Sequence, residues 1–214
     1  MFIICIDFLI QKNILRRYGQ NLLGFNKKGK IKGKGISQAT SEEIERCNAV
    51  TCVKNEYSMM ERMHENEIKT CEKLGILFIA CSPMSSGFLS GKYNKDCKYK
   101  GDDVRRCITR FKTDNVVSNQ PWLDMLKDFS EKKKRSGFTR LDAQKSPVVI
   151  PITGMRTDAR IEENLSSVNV ELTDEEYEQL EKELSKIKIY GNRTDKDIAE
   201  GLESVRKAKE NLNK

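Results

Sequence analysis

Gly75-Ile76-Leu77-Phe78-Ile79-Ala80 is the stretch that decides the fold class of this 214-residue chain. Residues 62–74 before it have the spacing of a helix, and a glycine such as Gly75 is typical of a helix C-terminus. Ile76–Ala80 is then a continuous apolar run, as expected of a parallel strand that is covered on both faces. A helix that leads directly into a buried strand predicts an α/β fold with a parallel sheet.

The alternation of strands and helices continues on both sides of this stretch. Strands are expected at residues 31–37, from residue 52 and at 148–150, and helices from Thr40, from Pro121, over 157–168 and over 173–187. Capping boxes mark two of these helix starts, because Thr40 precedes Glu43 and Thr173 precedes Glu176 by three residues. The polar residues 82–120 predict a long irregular segment, which in a compact domain is typical of a binding loop or of disorder.

The composition is that of a globular protein with a charged surface. Apolar residues make up 37% of the chain and charged residues 33%, and 39 basic against 32 acidic side chains leave a net charge of 39 − 32 = +7. The longest apolar stretch, Met1–Ile10, covers half of the ~20 residues that a membrane span needs, and it lacks a signal-peptide cleavage site. We therefore expect this stretch to be a buried strand, and the protein to be cytoplasmic and not membrane-bound.

The cysteines and the histidine exclude several kinds of site. The seven cysteines are odd in number, and no two have the C-x-x-C spacing, so neither a disulfide framework nor a metal site is expected. Free thiols beside apolar residues indicate a reducing cytoplasm. His64 is the only histidine, which excludes any mechanism that needs two imidazoles from this chain.

Two strand ends are followed by sequences that suit an anion. Small residues that let backbone amides approach a phosphate follow Ile76–Ala80; they are Ser82, Ser85, Ser86 and Gly87. Gly154, Arg156 and Arg160 follow the strand at 148–150, where a helix begins, so amide dipoles and guanidinium groups could act together. Each loop alone could equally be an ordinary loop with solvated arginines. At neighbouring ends of parallel strands they would form one phosphate site.

Four motifs in order resemble those of the aldo/keto reductases, most closely bacterial members. They are Gly33-Lys34-Gly35-Ile36-Ser37, Asn55-Glu56-Tyr57-Ser58, Cys81-Ser82-Pro83-Met84-Ser85-Ser86-Gly87-Phe88-Leu89-Ser90-Gly91-Lys92-Tyr93, and Ile150-Pro151-Ile152-Thr153-Gly154-Met155-Arg156 through Arg160-Ile161-Glu162-Glu163-Asn164. The resemblance implies an α/β fold, a (β/α)8 TIM barrel, that binds NADP(H) and reduces small carbonyl compounds. It covers residues 29–194 and implies only part of the barrel, about strands 4 to 8 with their helices.

The resemblance also implies the residues that bind the cofactor. Ser37 would hold the nicotinamide carboxamide, and Arg156 and Arg160 would meet the 2′-phosphate. Glu163 and Asn164 would face the adenosine, although Asn164 could simply cap or pack and Glu163 could pair with a lysine. The full cofactor-binding set is Ser37, Cys81, Ser82, Met84, Ser85, Gly87, Gly154, Met155, Arg156, Arg160, Glu163 and Asn164.

The departures from the family pattern bear on catalysis. The aromatic residue on which the family stacks the nicotinamide is replaced by Cys81, and the Gln beside the carboxamide by Lys54. The Asn or Glu after Ser37 is Gln38, and Lys12 stands where the catalytic His belongs. The family's catalytic Asp, Tyr and Lys lie on barrel strands that precede the fourth, at which this chain is expected to begin, and the tyrosines at 57 and 93 follow later strands and do not replace the missing one.

We therefore expect an incomplete barrel over residues 1–190 and a polar tail over 191–214. The segment between Arg135 and Val148 is too short for the helix that the family places before the last strand. Open strand edges predict a poorly stable protein, or one that forms oligomers or needs a complementing chain. The expected function is cofactor binding with little or no turnover alone. The alternatives are an enzyme completed by another chain, and a basic protein that binds nucleic acid, which the absence of aromatic residues among the basic runs disfavours.

Overall fold

The computed structural model describes residues 3–7, 28–47, 50–101, 103–132, 142–170 and 172–193. The chain forms two compact units. Unit 1 comprises Met1–Ser85 and Gly137–Asn169, and unit 2 comprises Ser86–Ser136 and Val170–Lys214. Within the described ranges, no helix combines the length and the apolarity needed to cross a membrane.

Unit 1 is built on a sheet of five parallel strands in the order of the chain. The strands are β1 (Ile3–Asp7), β2 (Gly33–Ser37), β3 (Cys52–Glu56), β4 (Leu77–Cys81) and β5 (Val149–Ile152). The prediction of an α/β fold with a parallel sheet is therefore confirmed. All carboxyl ends of the strands lie at one edge, since parallel pairing aligns Ser37 with Lys54, and Cys81 with both Glu56 and Ile152.

Helices α1 (Ser41–Arg46) and α5 (Asp158–Ser166) of unit 1 begin where a side chain caps them, whereas α2 (Glu65–Leu74) begins without a side-chain cap. Helix α1 has the predicted capping box, in which Thr40 Oγ1 accepts from the Glu43 amide and the Glu43 carboxylate accepts from the Thr40 amide. Helix α2 starts three residues later than predicted and ends, as predicted, at Gly75 with φ +66°. Helix α5 is capped by Thr157.

The two faces of the sheet differ in burial. Alternate strand residues Ile36, Val53, Phe78, Ala80 and Val149 point into the core that α1 and α2 help to cover. On the opposite face Ile79 and Cys81 are only half-buried, and Ile150 and Ile152 are 41% and 45% exposed. The prediction that Ile76–Ala80 is covered on both faces is therefore wrong for β4, and the strand predicted at 148–150, which we expect to be buried, is exposed on this face. Apolarity in the sequence does not tell whether a covering layer is present.

Unit 2 contains more regular structure than the sequence predicted. Three short 3₁₀ segments lie in the expected loop, at Ser85–Ser90, Val104–Arg106 and Thr109–Phe111, and they precede α3 (Thr113–Ser118), α4 (Gln120–Lys132) and α6 (Asp174–Ser185). The first of them begins at the last residue of unit 1. Trp122 on α4 is buried, and its indole N–H donates to the carbonyl of Ile187 at 3.3 Å. The capping box at Thr173 and Glu176 is confirmed at the start of α6.

An arginine between two tyrosines orders the long loop of unit 2. The Arg105 guanidinium carbon lies 4.4 Å from the ring centre of Tyr93 and 5.3 Å from that of Tyr99, and the group also pairs with Asp103. This pairing raises the pKa of Arg105, against the opposing effect of burial, and lowers that of Asp103. Cation–π contacts and a bidentate ion pair therefore stabilise this loop, in the way that an apolar stripe stabilises a helix.

The start of the expected polar tail is fastened to unit 2. The Asn192 amide donates to Thr109 Oγ1 at 2.9 Å, and the Arg110 amide donates to the Asn192 carbonyl at 3.4 Å. Gly191 has φ +71°, and a Cβ there would lie 2.6 Å from the Arg110 amide nitrogen. The expectation about a missing helix concerns residues 136–147, of which 136–141 lie outside the described residues, while residues 142–144 are helical.

Candidate functional site

The carboxyl ends of β2 to β5 form a rim in unit 1. Ser37, Glu56, Cys81 and Ile152 are the last residues of these strands, and strand alternation places all four side chains on the face opposite the helix-covered core. The sequence had assigned a role to Ser37 and Cys81 but not to Glu56, which is buried. Only the register shows that Glu56 aligns with Cys81 and shares its face.

Ser37 carries an unused hydroxyl on this rim. The residue is fully buried, and its Oγ has no hydrogen-bond partner among the described residues. Such an atom costs free energy unless a ligand or water satisfies it. Lys54 on β3 is aligned with Ser37 and is half-buried, so its side chain leaves the sheet on the same face as the Ser37 side chain.

The loop after β4 turns sharply through left-handed residues. Ser82 has φ +56° and Ser85 has φ +48°. The Ser85 amide donates to the Ser82 carbonyl at 2.8 Å, and the hydroxyls of Ser85 and Ser58 are 2.7 Å apart. Either hydroxyl can be the donor, so Ser85 keeps a proton for a ligand only where Ser58 donates. Ser82 and Met84 are half-buried beside this turn.

Gly87 lies in unit 2 and meets a steric requirement there. Its φ is +95°, and a Cβ at this position would lie 2.8 Å from the Tyr93 ring. Glycine is therefore needed for the approach of that ring, whatever else the residue does.

The segment after β5 is open to solvent. Gly154, Met155 and Arg156 are exposed, and Thr157 begins α5 by accepting from the Arg160 amide. Arg156 and Arg160 form no ion pair with any described residue. Parallel pairing of β4 with β5 puts this segment beside the Ser82 loop, at the same edge of the sheet. Two uncommitted guanidinium groups at a helix start can bind a phosphate monoester.

The remaining predicted residues lie further along α5. Glu163 is exposed and Asn164 is half-buried, and no side chain of α5 is fully buried. The proposed partners of the adenosine are thus accessible on this helix. Lys12, which stands at the position of the family's catalytic histidine, lies outside the described residues.

Tyr57 follows β3 but belongs to the helix-covered core. Its ring packs edge-on against Phe78, with ring centres 6.0 Å apart, and its hydroxyl contacts Arg62 and Glu65. Burial favours a higher pKa for Glu65, yet the hydrogen bond from Lys145 and the charges of Lys145 and Arg62 outweigh it, so the pKa is lowered. The Tyr57 phenol therefore stabilises the start of α2, on the opposite face of the sheet from Ser37.

The other candidate reactive groups are also engaged or buried. The hydroxyl of Tyr93 accepts from Arg105 within unit 2. Burial, with Glu67 and Glu72 nearby, raises the pKa of the Cys71 thiol to about 12. Among the described residues no group of three or more His, Cys, Asp or Glu side chains is arranged to hold a metal ion.

A profile of the aldo/keto reductase family matches residues 20–184. An aldo-keto reductase of Gibberella moniliformis is 30% identical over 178 residues, which are 78% of this chain and 54% of that protein. A probable pyridoxal reductase 2 of Schizosaccharomyces pombe is 30% identical over 194 residues, which are 85% and 58% of the two chains. The chain thus spans a little over half the length of these relatives.

Solved structures of this family share the fold. A glycerol dehydrogenase from Gluconobacter oxydans superposes with a TM-score of 0.77 at 22% identity, over 91% of this chain and 61% of that one. A thermostable aldo-keto reductase solved with the inhibitor epalrestat gives a TM-score of 0.61 at 16% identity, over 84% and 58%.

Proposed function

Since this chain belongs to the aldo/keto reductase family, we propose that it is the NADP(H)-binding half of an oxidoreductase that reduces small aldehydes or ketones. In this proposal β1 to β5 correspond to strands four to eight of a (β/α)8 barrel. The observation that carries it is the rim itself. One edge of the parallel sheet presents the unsatisfied Ser37 hydroxyl at the end of β2 and the adjoining loops that begin at Ser82, two strands further, and at Thr153, three strands further.

The residues present fit the 2′-phosphate end of the cofactor better than the nicotinamide end. Arg156 and Arg160 would hold the 2′-phosphate, and Gly154 leaves open space where a side chain would stand. Ser37 would donate to or accept from the nicotinamide carboxamide. Cys81 offers no aromatic face to the nicotinamide ring, so that end would be held more weakly.

Bound NADPH supplies the hydride for carbonyl reduction, but the carbonyl oxygen also needs a proton donor. Among the described residues of unit 1, the one phenol near the rim is Tyr57, and it lies in the helix-covered core with its hydroxyl committed to Arg62 and Glu65. We therefore expect the chain alone to bind the cofactor with little or no turnover.

Calorimetric titration of the full chain with NADPH and with adenosine 2′,5′-bisphosphate, together with an aldehyde-reduction assay, tests this proposal. We expect both compounds to bind, NADPH only a few-fold more tightly than the bisphosphate because the nicotinamide contacts are reduced, and no steady turnover. Absence of binding by both would contradict the cofactor role. Steady turnover by the pure chain would contradict the predicted inactivity.

A second candidate is an enzyme completed by another chain. The partly exposed face of β4 and β5, opposite the helix-covered core, favours this second candidate. Ile79, Ile150 and Ile152 leave apolar surface in water there. A chain that supplies the family's N-terminal strands and its tyrosine would cover this face. Mixing such a chain with this one should then restore aldehyde reduction, and mixing that leaves no complex in size-exclusion chromatography would rule this candidate out.

A further inference from the structure

The side-chain amide of Asn55 forms hydrogen bonds with both the backbone amide and the backbone carbonyl of Ala39. Its Oδ1 accepts from the Ala39 amide at 3.1 Å, and its Nδ2 donates to the Ala39 carbonyl at 2.9 Å. Asn55 is fully buried, and it lies on the helix-covered face of β3, between Val53 and Tyr57 in the strand alternation. Its amide therefore fixes the chain two residues after Ser37 without reaching the face on which Ser37 lies.

The residue between Ser37 and Ala39 needs such a restraint. Gln38 has φ +57°, a left-handed conformation that is unfavourable for a residue other than glycine. The Gln38 amide still donates to the Lys54 carbonyl at 3.0 Å, so the turn begins directly at the end of the strand. The Ala39 hydrogen bonds hold the chain in this turn, directly after Ser37.

A second layer braces the same loop from α2. His64 Nδ1 lies 3.2 Å from Asn55 Nδ2 and 3.2 Å from the Glu67 carboxylate. Glu67 in turn accepts from the amide and the hydroxyl of Ser41, at 3.1 and 3.2 Å. His64 Nδ1 can accept from Asn55 or donate to Glu67 but cannot do both, so the imidazole is an auxiliary contact and the two Ala39 bonds are the constant ones.

We propose that Asn55 is a positioning residue that orients the Ser37 hydroxyl towards the carboxamide of a bound nicotinamide. This inference rests on the proposed function, because it needs NADP(H) at the rim. The proposal predicts different effects at the two ends of the cofactor. Asn55 acts only on the nicotinamide end, whereas Arg156 and Arg160 lie after β5, two strands further along the sheet.

The test is calorimetric titration of the full-length Asn55→Ala variant with NADPH and with adenosine 2′,5′-bisphosphate. Losing the clamp should weaken NADPH binding about fivefold, the effect of losing one well-formed hydrogen bond, and leave the bisphosphate within about twofold. His64→Ala is the matched control, since it removes the auxiliary contact and keeps both Ala39 bonds. It should change neither affinity by more than about twofold.

Asn55→Asp carries the test if the alanine variant loses its circular dichroism spectrum. The aspartate keeps the volume and the acceptor for the Ala39 amide but cannot donate to the Ala39 carbonyl, so NADPH alone should bind more weakly. If the binding of both compounds is weakened equally, or the binding of neither is weakened, the positioning role is overturned while the cofactor proposal stands. A wild-type chain that binds neither compound would overturn the proposed function and this inference with it.

Discussion

Replacing both Arg156 and Arg160 by alanine is expected to weaken NADPH binding by about 30- to 100-fold. Both guanidinium groups are exposed and form no ion pair with a described residue, so the substitutions remove no internal contact that they provide. A charge-assisted hydrogen bond to a phosphate contributes about 1.5–3 kcal/mol, which solvent exposure reduces, and each 1.4 kcal/mol corresponds to a tenfold change in affinity.

NADH distinguishes a phosphate site from a general loss of charge, because it lacks the 2′-phosphate. Its affinity should change by less than about threefold in the same double variant. The matched control is Arg46→Ala with Lys73→Ala, which removes the same two charges from exposed residues of α1 and α2. A control that lowers NADPH binding as much as the arginine variant would show that the overall charge, and not this helix start, attracts the cofactor.

Phe78→Ala is expected to cost unit 1 about 3–5 kcal/mol of its free energy of unfolding. Phe78 is fully buried at the centre of the core, and its ring packs edge-on against Tyr57. Removing it leaves a cavity under the strand that carries Cys81 and precedes the Ser82 loop. Because a domain is stable by only about 5–15 kcal/mol, this single change should remove between a fifth and all of the stability of unit 1.

Hydrogen exchange of the β3 and β4 amides measures this loss, whereas Trp122 fluorescence reports on unit 2. Ile150→Ala is the control on the opposite face, and we expect it to cost about 1 kcal/mol because Ile150 is already 41% exposed. Equal costs for the two variants would mean that the second face is covered in solution. That result would favour the assembly with a further chain.

Several local elements could be predicted because their causes lie within a few residues. The capping boxes at Thr40 and Thr173 involve side chains three residues apart, and Gly75 ends α2 through its own backbone freedom. The sequence predicts the long loop but not the short 3₁₀ segments within it, for the converse reason. Arg105 there interacts with Tyr93, twelve residues earlier, and such pairs leave no periodic pattern in the sequence.

The sequence by itself determined the family, the parallel α/β fold and the order of the two loops proposed to bind a phosphate, since these depend on local spacing and ordered motifs. Only the tertiary structure decided which face of the sheet is covered, that Glu56 stands on the rim, and that Asn55 clamps Ala39 sixteen residues away. These features depend on strand register and on which layer packs against which face. Register and packing both depend on contacts between segments that are distant in the sequence, so they cannot be predicted from the identity of a single residue.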